Sequence, residues 1–278
     1  MSFFLNPFLL VTPYCLCNTP CPFQIKANDV NEQTIFIFLF AIAIGAYTQT
    51  VTGFAMGLII MGITASLQLM PISFIAAVIS LTGFTNVVLA VYKSHHHINW
   101  QLIRIIMVGF IPALFAGLAL LYFLDKTSTQ LLQLILGIVI MLGGILLMLK
   151  PHPTKQLSPS YITLLAGASS GVMGGLFSTS APPLIYYLYK QPLTIKAIKN
   201  TLLMTFMIGS ITRIGVIGTQ GYITTEILLF ALYSLPVVFL FTWLGKKYPP
   251  PLSDINMRRT AFALLIILGV STTWTAII

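Results

Sequence analysis

Six runs of this sequence, 72–92, 101–123, 129–149, 195–219, 223–245 and 259–277, are apolar and sparsely charged. Each is about as long as the ~20 residues needed to cross roughly 30 Å of hydrocarbon. In that medium an unpaired backbone N–H or C=O is costly, so only helices and closed barrels span it. Long runs that contain Gly and Pro, without the ten-residue alternation of barrel strands, are helical. Composition agrees, because a chain that is 57% hydrophobic and 7% charged, with a mean hydropathy of +0.95, cannot clothe a soluble surface. The expectation is an all-α integral membrane protein.

Four further runs are shorter and fall into adjacent pairs, 34–50 with 54–69 and 161–174 with 176–189, each pair broken by Gly or Pro. Full crossing and re-entry both fit their lengths. With these pairs the chain divides into an N-terminal extension over 1–33, a first transmembrane repeat over 34–150, a cytoplasmic linker over 151–160 and a second repeat over 161–278. Each repeat has five hydrophobic segments and opens with a pair of short broken helices. Five is an odd number, so the second half enters the membrane from the opposite face and the repeats are inverted. Local echoes run in constant order through the halves: Gly45-Ala46 with Gly167-Ala168, Pro71-Ile72-Ser73 with Pro192-Leu193-Thr194, and Ile98-Asn99-Trp100 with Ile223-Thr224-Thr225. Pro112 with Pro236 and Gly137 with Gly269 continue the series.

The formal net charge of +9 would suggest nucleic acid in a soluble domain. Here the basic residues lie between apolar runs, where they orient the chain. With the N-terminus outside, the inner side receives Lys93, Arg104, Lys150, Lys155, Lys190, Lys196, Lys199, Lys246, Lys247, Arg258 and Arg259, which is eleven of the fourteen basic residues. The positive-inside bias therefore places both termini outside, and the expected location is a bacterial inner membrane.

Paired broken segments in corresponding positions of inverted halves point to a substrate site near the bilayer midplane. The first break spans Tyr47 to Gly57 and offers Thr48, Gln49, Thr50, Thr52, Gly53 and Phe54. The second spans Gly171 to Pro183 and offers Gly174, Gly175, Ser178, Thr179, Ser180 and Pro182. Helix starts at such breaks present backbone N–H groups that attract anions, and the hydroxyls and the Gln49 amide add donors. The plainer alternative is that the small residues only let helices pack closely. Carboxylates number five, Asp29, Glu32, Asp125, Glu226 and Asp254, all in extensions, loops or segment ends, so a mid-membrane cation or proton site of carboxylates is not supported. Arg213 is the one charge well inside a span. Two placements are open for it, an anion clamp facing a cavity or a snorkel to the outer interface. Asn86 and Asn200 are secondary candidates, and each can equally bond a neighbouring helix.

The remaining features yield no chemistry. Cys15, Cys17 and Cys21 precede the apolar segments with no fourth ligand, and the extension that carries them reads as poorly ordered or as a start-site artefact. The His95-His96-His97 run fits a solvated loop better than a metal site. Trp100 and Trp243 fit interfacial anchors. No phosphate loop, metalloprotease pair, nucleophile elbow or dinucleotide fingerprint occurs, so neither an enzyme nor a cofactor is expected.

The run Gln49-Thr50-Val51-Thr52-Gly53-Phe54, followed by Pro71 and then Ile98-Asn99-Trp100, resembles the first repeat of the sulfite exporter TauE/SafE family, also called the four-toluene-sulfonate uptake permeases. Gly174 to Pro183 with Tyr186-Tyr187 is similar to the glycine-rich break of the second repeat, and Arg213 stands where that family often has a basic residue. The resemblance covers about residues 34–278. Ala55, Ser178, Ser180 and Ala181 depart from it, standing where the family often has glycine. The resemblance implies a secondary transporter, an exporter or importer of a small anion such as sulfite or an organosulfonate, working by alternating access. An anion channel and a membrane assembly protein without transport are the competing readings, and a homodimer is left open.

Overall fold

The computed structural model describes residues 32–91, 99–148, 154, 156–249 and 254–277. The cysteines, the three adjacent histidines and linker positions 151–153 and 155 lie outside the described residues. Among the described residues ten helices follow one another: α1 (Glu32–Thr52), α2 (Met56–Ser66), α3 (Ile72–Val91), α4 (Trp100–Thr127), α5 (Thr129–Met148), α6 (Ser160–Phe177), α7 (Ala181–Lys190), α8 (Ile195–Thr219), α9 (Thr225–Lys247) and α10 (Asp254–Ile277). Among the described residues there is no strand. Six helices, α1, α3, α4, α6, α8 and α9, are long and apolar enough to cross a membrane by length and composition.

That count corrects the expectation of two short members in each broken pair. α1 has 21 residues and α6 has 18, while only α2 and α7, with 11 and 10, are short. The polar run after Tyr47 stays helical because its hydroxyls turn inward on their own helix. Thr50 Oγ1 donates to Ala46 O at 2.7 Å and Thr52 Oγ1 to Thr48 O at 2.7 Å, which satisfies the side chains without breaking the backbone ladder. The glycines from Gly171 to Gly175 stay helical because they serve a helix–helix seam. A Cβ added to Gly167, Gly171 or Gly175 would sit 2.3 Å from the carbonyl oxygens of Ile106, Phe110 and Leu114 on α4. Gly109 and Gly117 of α4 approach Leu164 O and Val172 O of α6 in the same way. Small residues every fourth position thus bring two backbones into contact, the main source of helix association where lipid removes the hydrophobic drive.

Other seams complete the bundle. α5 packs along α10, α3 against α8 and α9, and α1 against α9. Gly137 and Gly269 face one another across the α5–α10 seam. Residues that echo in sequence do equivalent local jobs. Asn99 caps α4 by accepting from Leu102 N, and Thr224 caps α9 by accepting from Ile227 N. Pro112 and Pro236 each lie inside the helix so capped. Large apolar side chains, among them Phe36, Phe123, Tyr233, Ile267 and Trp274, cover the outside, as a lipid-facing surface requires. Trp100 and Trp243 are about half exposed near helix ends, and Lys247 Nζ lies 4.8 Å over the Trp243 ring.

Candidate functional site

Between the two helix pairs and the middle of α8 lies a cavity of about 40 Å³, room for about three waters or one small ion at the ~10–15 Å³ each water needs. The breaks build its walls. α1 ends at Thr52, and the chain reverses through Gly53 at φ +89° and Ala55 at φ +87°, the left-handed region that favours glycine. Phe54 stacks on Phe262 at 5.9 Å and fixes this turn in the core. α6 ends in the same manner, with Ser178 at φ +55°. Gly57 and Thr179 touch, since a Cβ on Gly57 would fall 3.1 Å from Thr179 Cβ, so the two breaks abut.

Both short helices begin at the cavity. Ala55, Met56 and Gly57 at the start of α2 line it, as do Thr179, Ser180 and Ala181 at the start of α7. Neither start has a side-chain cap, which leaves the first-turn N–H groups of α2, the Ala181 N–H of α7 and the positive end of each helix dipole directed at the same space. The hydroxyls are held in place: Ser178 Oγ shares a 2.8 Å hydrogen bond with Ser80 Oγ, and Ser170 Oγ donates to Ser180 O.

Arg213 closes one side. It is 2% exposed, which removes the snorkelling alternative. Its Nη1 donates to Gly174 O at 2.8 Å and also to Gly175 O, the last-turn carbonyls of α6. Its Nε and Nη2 meet no hydrogen-bond acceptor among the described residues. A buried guanidinium with idle donors is costly unless an anion completes it.

Of the residues singled out in the sequence, Gln49, Gly174, Ser178, Ser180 and Arg213 line the cavity together, with Thr179. The others stand elsewhere. Thr52 Oγ1 bonds within its own turn, to Thr48 O and Phe54 O, and Gly53 faces Lys199. Gly175 lies in the α4–α6 seam, and Pro182 packs against Gly143 of α5. Asn86, fully buried, ties α3 to two neighbours: its Nδ2 donates to Thr242 Oγ1 at 2.7 Å and to Ala46 O and Thr50 Oγ1, each at 3.3 Å. Asn200 is buried in the first turns of α8 and off the cavity wall. Sequence reasoning passed over Ile79, Gly83 and Val87 of α3, Phe110 and Leu114 of α4, and Phe206, Gly209 and Ser210 of α8. The α8 set was findable, since stepping back from Arg213 by three, four and seven residues along one helical face gives Ser210, Gly209 and Phe206.

The family profile described as Sulfite exporter TauE/SafE matches residues 37–272. The chain belongs to this family. A curated relative from Cupriavidus necator, named "Probable sulfite/organosulfonate exporter TauE", is 37% identical over 227 residues, covering 82% of this chain and 89% of that protein. No solved structure matches. The TauE/SafE family assignment and the apolar helices together describe a multi-pass membrane protein of an exporter family.

Proposed function

We propose that the chain is a secondary transporter that exports a small anion, of the class of sulfite or an organosulfonate, by alternating access across a bacterial inner membrane. The observation that carries this is the buried Arg213, two of its nitrogens idle, beside a cavity on which two uncapped half-length helices converge. Among the described residues nothing in that wall is anionic, whereas fixed positive dipoles and hydroxyl donors surround it, an arrangement suited to oxyanions. The name of the Cupriavidus necator relative points to the same substrates.

The transport mechanism we infer uses two inverted repeats, 34–150 and 161–278, that rock about the site. Its support is the pairing of contacts: α4 packs on α6 as α9 packs on α1, α5 and α10 pack on each other, as do α3 and α8, and α10 meets α2 as α5 meets α7. Such an exchange pattern is what a two-fold relation between α1–α5 and α6–α10 generates. The inner bias of lysine and arginine supports outward termini. In that orientation α8 runs outward, Arg213 stands on the outer side of the cavity, and a membrane potential negative inside drives anions out with about 2.3 kcal/mol per charge per 100 mV.

Flux in proteoliposomes tests this. Sulfite, sulfate, an organosulfonate and a carboxylate are presented with and without an imposed potential. Saturable, potential-sensitive anion flux that exchanges substrate for substrate is the expected result. Conductance far above carrier rates would make the protein a channel, and no flux of any anion would overturn transport.

A further inference from the structure

α8 carries a second cation into the bundle. Lys199 lies about one turn into the helix and is half-buried, whereas Lys190 and Lys196 are exposed. Its Nζ donates to Thr50 O at 2.5 Å and to Val51 O at 3.2 Å, carbonyls of the last turn of α1. These two residues directly follow Gln49, which lines the cavity, and precede Ala55, which also lines it. The stem of the lysine rests on Gly53, where a Cβ would come 2.7 Å from Lys199 Cγ. Gly53 is therefore required twice, for its φ of +89° and as the seat of this side chain.

The contact repeats what Arg213 does at the other break. Each cation holds the final carbonyls of a long helix, α1 for Lys199 and α6 for Arg213, where the negative end of the helix dipole lies. Fourteen residues apart on one helix, at about 1.5 Å rise per residue, they stand about 21 Å apart along its axis. They differ in what they join. α6 and α8 belong to the same half of the chain, whereas Lys199 bonds across the halves, from α8 to α1.

We propose that Lys199 is the inner-mouth residue of the transport path: its ammonium holds α1 against α8 while that mouth is shut and passes to the incoming anion as the mouth opens. This rests on the transport reading above. Two of its acceptors are neutral carbonyls, and an ammonium gains more from a full negative charge than from a carbonyl, so an arriving oxyanion competes for it. Losing the lysine frees the end of α1, and the turn at Gly53 then lacks these two bonds to α8. Substrate arrival and opening thereby become one event.

The test uses the full chain with Cys15, Cys17 and Cys21 changed to serine and a reporter cysteine in place of Val87, on the cavity wall. Proteoliposomes are labelled with a membrane-impermeant maleimide from each face. Lys199→Met keeps the stem on Gly53 and removes the charge; it is expected to raise labelling from the inner face several-fold, and Lys199→Arg to restore the original rate. In the same vesicles the KM for sulfite presented at the inner face is expected to rise about tenfold, the loss of one charge-assisted hydrogen bond, with the outer-face KM unchanged. Inner-face labelling that stays at the starting rate in Lys199→Met overturns the proposal, as does an equal rise in both KM values. Labelling needs no substrate, so it decides the role of Lys199 even where flux measurements reject transport. Should Lys199→Met not reach the membrane, Lys199→Gln carries the same expectations.

Discussion

The first helix pair turns at Gly53-Phe54-Ala55 and the second at Ser178-Thr179-Ser180, and the two turns bring different chemistry to the same cavity. The first is anchored by an aromatic stack on Phe262 and holds no hydroxyl on the cavity wall, so α2 offers backbone N–H groups alone. The second is anchored by polar bonds, Ser80 to Ser178 and Ser170 to Ser180. Its helix opens with Pro182 and Pro183, which have no N–H to offer, and three hydroxyl side chains stand in their place. The clamps differ in step: half-buried Lys199 on α1, fully buried Arg213 on α6. On the proposed function, an anion site is assembled from one break that contributes dipole and another that contributes directed side-chain donors. The fully desolvated charge belongs to the second, where geometry is most constrained.

Breaking this comparison starts with Arg213. Arg213→Gln keeps donors but removes the charge and is expected to lower anion flux about a hundredfold at subsaturating substrate, within the ~2–5 kcal/mol lost when one partner of a buried charged pair is removed. Initial uptake rates in proteoliposomes decide it, and unchanged uptake would take Arg213 out of the path. The next effect is on stability. Gly171→Ala drives a Cβ onto Phe110 O in the α4–α6 seam and is expected to cost about 1–3 kcal/mol. Gly245→Ala, in the corresponding α9–α1 seam, meets Thr50 Cβ at 3.1 Å and is expected to cost less. Thermal unfolding of the two variants in detergent checks the order; equal losses would mean that the seams are equally tight. The smallest effect sharpens the contrast between the two starts. Pro183→Ala returns an N–H to the first turn of α7 and is expected to tighten anion binding about two- to fivefold, from a helix-end contribution of ~0.3–1 kcal/mol. Competition assays report the affinity, and a weaker or unaltered value would mean that the α7 start does not meet the anion.

Much of the fold was legible because bilayer thickness sets helix length. The expected spans 72–92 and 195–219 differ from α3 and α8 by at most one residue. The pairs were less so. Thr48, Thr50 and Thr52 look like a break in sequence, and the i−4 carbonyls that accept the Thr50 and Thr52 hydroxyls show how the run stays helical. Gly171 and Gly175 carry the same ambiguity, since glycine serves a turn and a seam equally, and the presence of α4 opposite decides it. At the site, residues on the breaks could be named from local pattern. Asn86 could not be placed, because Thr242 lies 156 positions away in the chain. The cavity walls from α3 and α4 are products of packing, and Gly83 or Leu114 carries no local mark of it.

The backbone contact between α4 and α6 also constrains how the protein is made. α4 leaves the ribosome with a glycine face whose partner surface on α6 is encoded further on, in the second half. Until that half is inserted, the glycine face meets lipid, where tails fill it poorly. The α4–α6 contact therefore closes only after α5 and the segment that leads to Ser160 have been made.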